Sequence, residues 1–265
     1  MNKIYTVMKK LSIITCTYNS ERYIQECIDS VIAQNLNIEN YEHIFVDAYS
    51  TDGTKKIIKK YMKNYSNVKL IQRKPKWVYN AMNEWIKEAK WEYIMCLNSD
   101  DYLQSWILKD YLSFIKETKN KDVYYWMTNV IENWEIKLWI NRFFQIRKIL
   151  FKFFWCNVLV LHHTTLVKKE SLMEMWLFDE NMKVASDYWM WLKMLCNKKT
   201  FLYYPKIITN FRKRDSSVST ANSELGKQEV KYYQSKYLPS YKTNVNNVLD
   251  KVIAFYVKII DFFWK

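Results

Sequence analysis

Residues 11 to 17 read LSIITCT, a short apolar run rich in β-branched side chains, and predict a buried strand. Ile24, Cys27, Ile28, Val31 and Ile32 then recur at helical spacing, with Asn19 or Ser20 available as the N-cap. Tyr41 to Val46 predicts a second strand that ends in Asp47. A second helix, marked by Ile57, Ile58, Tyr61 and Met62, is entered through Ser50-Thr51-Asp52-Gly53-Thr54. Val68 to Gln72 predicts a third strand. Val78, Ala81, Met82, Trp85, Ile86 and Ala89 predict a third helix, and Tyr93 to Leu97 a fourth strand. Strand and helix in strict alternation predict a parallel sheet with right-handed crossovers.

The second half is less regular. Val123 to Ile131 and Glu135 to Ile140 predict a hairpin across Asn133-Trp134. Thr164 to Val167 and Phe201 to Tyr204 predict strands, Asp187 to Asn197 a helix, and Val248 to Trp264 a terminal amphipathic helix. No internal repeat and no linker rich in Pro, Gly or Ser divides the chain.

In an open parallel sheet, ligands bind beyond the carboxyl ends of the strands. Polar groups gather there: Thr17-Tyr18-Asn19 after the first strand, Asp47 after the second, Asn98-Ser99-Asp100-Asp101 after the fourth. Adjacent carboxylates beside a diphosphate suit Mg2+ or Mn2+, which take a few carboxylate oxygens and fill their shell with phosphate and water. The alternative is that Asp100 only caps a helix beginning near Ser105.

Charge enlarges this picture. The 265 residues carry 41 Lys and Arg against 27 Asp and Glu, a net charge of +14, so an anionic partner is expected: nucleotide phosphate, nucleic acid or an acidic membrane face. Apolar residues make up 49% of the chain, which supplies a core and excludes a disordered tail. Five cysteines without a CxxC pair read as free thiols of a reducing, cytoplasmic compartment. No apolar stretch has the length of a membrane span, and the amino terminus does not read as a signal peptide.

Four segments, in order, resemble motifs of glycosyltransferase family 2: SIITCTYNSERYIQECIDSVIAQ, VDAYSTDGT, VYNAMNEWIKEAKWEYIMCLNSDD and FDENMKVASDYWMWLKML. The resemblance covers roughly residues 10 to 215. It implies an α/β fold of GT-A type, a Rossmann-like, mostly parallel sheet flanked by helices. Residues 1–215 would form the catalytic domain and residues 216–265 a C-terminal helical extension. It implies an inverting glycosyltransferase that moves a sugar from a nucleotide-diphosphate donor to a hydroxyl acceptor, in cell-surface polysaccharide or glycolipid synthesis. Thr17, Tyr18, Asn19, Asp47, Asn83 and Asp100 would bind the nucleotide sugar, and Asp101 with Asp100 would hold Mg2+ or Mn2+. Asp187 matches the family's catalytic base, and as an alternative caps its own helix. His162 and His163 would lie on the acceptor side, although a His pair is more often structural, as His43 within its strand is read to be. Two departures stand out: Ala48 where many relatives carry a second acid, and Asn98 in place of the first Asp of the usual triplet.

Two other readings compete. A basic nucleic-acid binder accounts for the charge but not for acids at three strand ends, and no nucleic acid is expected as partner. A sugar nucleotidyltransferase calls for a glycine-rich basic loop after the first strand, which TCTYNSERY is not. An inactive nucleotide-sugar binder is the remaining alternative. The stretches 142–155 (RFFQIRKILFKFFW) and 248–264 interleave cations with aromatic and aliphatic residues. They suggest peripheral contact with an anionic inner membrane face, where a glycan or lipid-linked acceptor would be met, or else packing on the protein's own core.

One count is abnormal. The chain has two glycines beside twelve tryptophans, where average usage gives roughly 18 glycines. Trp91, between a helix and a strand, stands where a left-handed C′ residue is wanted, and Trp134 follows Asn133 in a predicted hairpin. Trp77, Trp85, Trp91 and Trp176 fall where relatives commonly carry Gly, and Trp126 and Trp134 join this set. Glycine encoded by a reassigned UGA codon and written as tryptophan would account for the pattern; the alternative is a truly Trp-rich protein with surface aromatics for membrane or sugar stacking. Trp191 matches a genuine family Trp, and Trp106, Trp139 and Trp264 have no assignment on this reading.

Overall fold

The structure, a computed structural model, describes residues 11–74, 78–118, 120–132, 135–137, 162–214 and 221–237. Among them the chain runs β1 (Leu11–Thr17), α1 (Glu21–Ile32), β2 (Tyr41–Asp47), α2 (Thr54–Met62), β3 (Val68–Gln72), α3 (Val78–Glu88) and β4 (Tyr93–Cys96). It continues as β5 (Tyr102–Leu103), α4 (Ile107–Glu117), β6 (Val123–Glu132), β7 (Glu135–Lys137) and β8 (Thr165–Lys168). Last come α5 (Lys169–Glu174), α6 (Ser186–Cys196), β9 (Phe201–Arg212) and α7 (Ser223–Tyr237). The stretches 142–155 and 248–264 lie outside the described residues, as do Trp77, Trp134, Trp139 and Trp264.

The strands form one mixed sheet in the order β3-β2-β1-β4-β8-β6-β9-β5, with β7 paired to β6. Its first four strands are parallel, with Thr17 beside Asp47 and Ile14 beside Cys96, so the ends of β1, β2 and β4 share one edge. β8 enters antiparallel to β4 and carries the chain to the second half of the sheet. Alternation along β1 explains why both faces are covered. Leu11 and Ile13 pack with Cys27 and Val31 of α1 and Leu108 and Leu112 of α4; Ile14 packs on the other face with Met82, Trp85 and Ile86 of α3 and Met190 and Trp191 of α6. His43 belongs to this interior. Its Nε2 lies 2.9 Å from Thr15 Oγ1, and burial pulls the imidazole down to about 3.

The tryptophans divide. Trp85, Trp126 and Trp191 are buried and built into the core. Trp91 does not take the left-handed conformation expected of it, because α3 ends at Glu88, further upstream than the periodicity suggested. Trp106 and Trp176 do, at φ 59° and 62°. For a side chain with a Cβ that conformation costs roughly 1–2 kcal/mol. Both rings stand in solvent, 64% and 89% exposed, so little burial repays the strain. Trp106→Gly and Trp176→Gly are each expected to raise stability by about 1 kcal/mol, part of the gain being lost to a freer unfolded chain. Urea melts of the single and double variants check this; lowered midpoints would contradict it.

Candidate active site

The turns after β1 and β2 are stitched together. Asn19 takes φ 47° at the end of β1, its backbone N–H donating to Ser50 Oγ at 2.9 Å and its Oδ1 accepting from Thr51 N at 2.9 Å. Ser20 N donates to Thr54 Oγ1 at 2.8 Å, and Glu21 N to Asp52 Oδ2 at 3.0 Å. Glu21 in turn accepts from Gly53 N at 2.9 Å, and a Cβ on Gly53 would lie 2.1 Å from Glu21 Oε1, so any larger residue here would push the Glu21 carboxylate off that N–H. The polar residues of STDGT therefore fix the start of α1 and with it the edge of the site.

Asp47 is fully buried behind that edge. It accepts from Ser50 N at 3.0 Å, from the Ser50 hydroxyl, and from Gln72 Nε2 at 3.4 Å. Thr17 is buried too, and its hydroxyl has no hydrogen-bond partner among the described residues. Tyr18 and Tyr49, by contrast, stand largely exposed just past β1 and β2.

At the end of β4 the two carboxylates differ. Asp101 is fully buried, with Oδ1 accepting from Arg212 N at 2.9 Å and Oδ2 from Asn98 Nδ2 at 2.8 Å. Burial, with the charge of Asp100 beside it, pushes the Asp101 carboxyl well above the usual carboxylate range. Asp100 lies nearer the surface and is ion-paired with Arg214.

A side-chain chain leads from there to Asp187. Asn98 Oδ1 lies 3.0 Å from His162 Nε2, and His162 Nδ1 lies 3.3 Å from Asp187 Oδ2. Asp187 sits in the first turn of α6, where its Oδ1 accepts from Tyr188 N at 2.8 Å and lies 3.4 Å from Tyr79 Oη. Tyr79 donates to Val184 O at 2.5 Å, and burial together with Asp187 raises its phenol well above the ordinary value. Glu229 of α7 braces the approach to α6 by accepting from the backbone N–H groups of Lys183, Val184 and Ala185 at 2.8, 3.0 and 2.9 Å. That carboxylate sits where the helix dipole favours negative charge.

The structure thus gathers Asn98, His162 and Asp187 into one hydrogen-bonded group that continues to Asp101. It separates two others from them. His163 is buried, stacked at 4.7 Å and 8° on Phe211, and held well below the usual imidazole range by burial. Asn83 is buried as well, with its amide spent on Phe178 O at 2.8 Å, Glu180 Oε1 at 3.0 Å and Phe178 N at 2.9 Å. Its place is to anchor the FDE segment on α3.

A family model described as glycosyl transferase family 2 matches residues 12–176. The chain belongs to that family. Among family 2 relatives, a poly(ribitol-phosphate) beta-glucosyltransferase of Bacillus spizizenii is 41% identical over 117 residues, 42% of this chain but 18% of the relative. A dolichyl N-acetyl-alpha-D-glucosaminyl phosphate 3-beta-D-2,3-diacetamido-2,3-dideoxy-beta-D-glucuronosyltransferase of Methanococcus voltae is 27% identical over 79% of this chain and 68% of its own. The crystal structure of Staphylococcus aureus TarS with UDP-GlcNAc superposes with a TM-score of 0.66 at 26% identity, over 80% of this chain and 61% of that one. A mannosyltransferase of Pyrobaculum calidifontis, in complex with GDP-Man and Mn2+, gives the same TM-score at 15% identity over 82% and 61%. The sheet and its flanking helices are those of the GT-A fold. The chain spans about a fifth of the length of the first curated relatives it matches.

Arg212 and Arg214 touch the site and lie outside the family 2 motifs, whereas Glu26 and Tyr79, which touch it too, stand inside two of those segments where no spacing marks them as site residues. Only the FRKR run at the end of β9 hints at the two arginines, and it becomes meaningful once β9 is seen to run on to Arg212 and reach the end of β4.

Proposed function

We propose that this chain is an inverting glycosyltransferase, using a nucleotide-diphosphate sugar to glycosylate a hydroxyl of a cell-surface glycopolymer or its lipid-linked precursor. The observation that carries the reading is the link from Asp187 through His162 and Asn98 to the acids at the end of β4. It sets a proton acceptor within reach of the edge where an α/β sheet holds its ligand.

In the proposed step the acceptor oxygen bonds to the anomeric carbon as the bond from that carbon to the diphosphate oxygen breaks, with inversion. The acceptor's proton passes to Asp187. His162 holds Asp187 oriented, and Tyr79 and the Tyr188 N–H face its other oxygen. Thr17, Tyr18, Asn19 and Asp47 receive the nucleoside, for which the unpartnered Thr17 hydroxyl and the exposed Tyr18 ring are suited. Mg2+ or Mn2+ fits Asp100, with Asp101 behind it. Among the described residues no group of three or more acid, His or Cys side chains is placed to hold a metal, so donor phosphates and water would complete a hard-cation shell. Such an ion would offset the charge that builds on the leaving diphosphate.

No helix of the described residues is long and apolar enough to cross a membrane. Peripheral contact with anionic lipid through stretches 142–155 and 248–264 rests on their sequence.

The test is release of nucleoside diphosphate from a panel including UDP-GlcNAc, UDP-glucose and GDP-mannose, with Mn2+ or Mg2+. One donor is expected to turn over slowly to water, and EDTA to stop it. No turnover together with no calorimetric binding of UDP or GDP would sink the reading.

A further inference from the structure

Two arginines leave the end of β9 toward the acids of β4, and they are held very differently. Arg212 is pinned throughout: its N–H is on Asp101, its Nη1 is 2.6 Å from Asp100 O, and its Nη2 is 2.5 Å from Glu26 Oε2. Its guanidinium also lies 4.7 Å from the centre of the Tyr102 ring. Among the described residues Arg214 has a single ion-pair tether. It pairs with Asp100 Oδ2, lies 5.1 Å from the centre of the Tyr23 ring, and keeps 37% of its side chain in solvent. Its Nε–H is buried without a hydrogen-bond partner among the described residues. A guanidinium carries five donors in a planar fork shaped for carboxylate or phosphate, so most of this one is unspent. A buried donor without an acceptor is costly, and phosphate oxygens would relieve it.

The contested group is Asp100, one carboxylate that both a guanidinium and a divalent ion would claim. We propose that Arg214 is an exchange arm: it occupies Asp100 in the empty site, yields that carboxylate to the divalent cation, and turns its fork onto the phosphates of the donor. The inference rests on the function proposed above. It adds that cation and diphosphate binding are coupled through one side chain. The cation must displace Arg214, and displaced Arg214 is what the diphosphate gains, so each ligand tightens the other to the same degree. The arrangement also keeps Asp100 charge-neutralised before the ligands arrive.

Binding alone tests this, without turnover. Free Mn2+ is counted by electron paramagnetic resonance, and UDP and GDP are titrated calorimetrically, for the wild type, Arg214→Gln and Arg214→Lys. In the wild type, Mn2+ alone is expected to bind weakly and to tighten when the nucleoside diphosphate is added. Arg214→Gln should bind Mn2+ alone more tightly and bind the diphosphate more weakly at saturating Mn2+, each by about tenfold, within the usual range of coupling between sites. Arg214→Lys keeps the charge without the fork. It should keep the weak Mn2+ affinity and lose only on the diphosphate, which also separates the effect from misfolding of the Gln variant. Wild-type Mn2+ affinity in Arg214→Gln overturns the exchange, even if its diphosphate affinity falls, while leaving the proposed function standing. A wild type that binds neither UDP nor GDP, with or without Mn2+, overturns both.

Discussion

Asp187→Asn is expected to abolish sugar transfer while leaving nucleotide binding intact. The amide is isosteric and still accepts from Tyr188 N, so the first turn of α6 keeps its geometry. What it loses is the capacity to take a proton, and a positioned general base contributes about 10²–10⁴-fold. His162→Ala should fall in between, because it frees Asp187 to rotate without removing its oxygens. The measurement is transfer to acceptor at saturating donor, alongside calorimetric titration of the nucleotide. Near wild-type turnover of Asp187→Asn would remove it from the mechanism.

Asp101→Ala should lose both stability and cation-dependent binding. Its carboxylate is the partner of a buried backbone N–H and of the half-buried Asn98 amide, so truncation strands the first away from water and frees the second. A stranded buried donor costs about 1–3 kcal/mol, partly offset because burial and the neighbouring Asp100 already disfavour the Asp101 charge. The melting temperature should drop by several degrees, at roughly 2–4 °C per kcal/mol for a chain of this size. Loss of the anchor on Arg212 also loosens the end of β9, and with it the arm that ends in Arg214. Asp187→Asn, run in parallel, should melt like the wild type. If Asp101→Ala keeps both its melting point and its Mn2+-dependent affinity for UDP or GDP, the acid has neither role.

The parallel half of the sheet was readable because its signals are local. β1 and β3 run from the first to the last residue of their apolar stretches, and the polar residues that follow β1, β2 and β4 lie on one edge as alternating strands and helices require. The second half was harder, since its pairings are long-range. The tail of β9 reads NFR, polar enough to pass for a loop, and its strand character comes from pairing Asn210 and Arg212 with Asn129 and Ile131 of β6. β5, two residues long, exists only because β9 passes it. The same holds at the site. Asp187, Asp100 and Asp101 stand in motifs, whereas Arg212 and Arg214, outside them, meet these acids only through folding. The differing fates of His162 and His163 follow from which side of a single 3-10 turn each faces, which no spacing in HHTT reveals.

Glu229 joins the far end of the described chain to the residue assigned to accept the proton. By gathering three consecutive N–H groups just ahead of α6, it makes α7 part of the frame of Asp187, and Tyr233 and Gln234 add bonds to Asp179 and the Tyr188 hydroxyl. Movement of α7 is therefore movement of the turn that carries Asp187. Any force that shifts that helix is mechanically in series with the residue proposed as general base. The donor half, locked by its own turns after β1 and β2, stands outside that linkage.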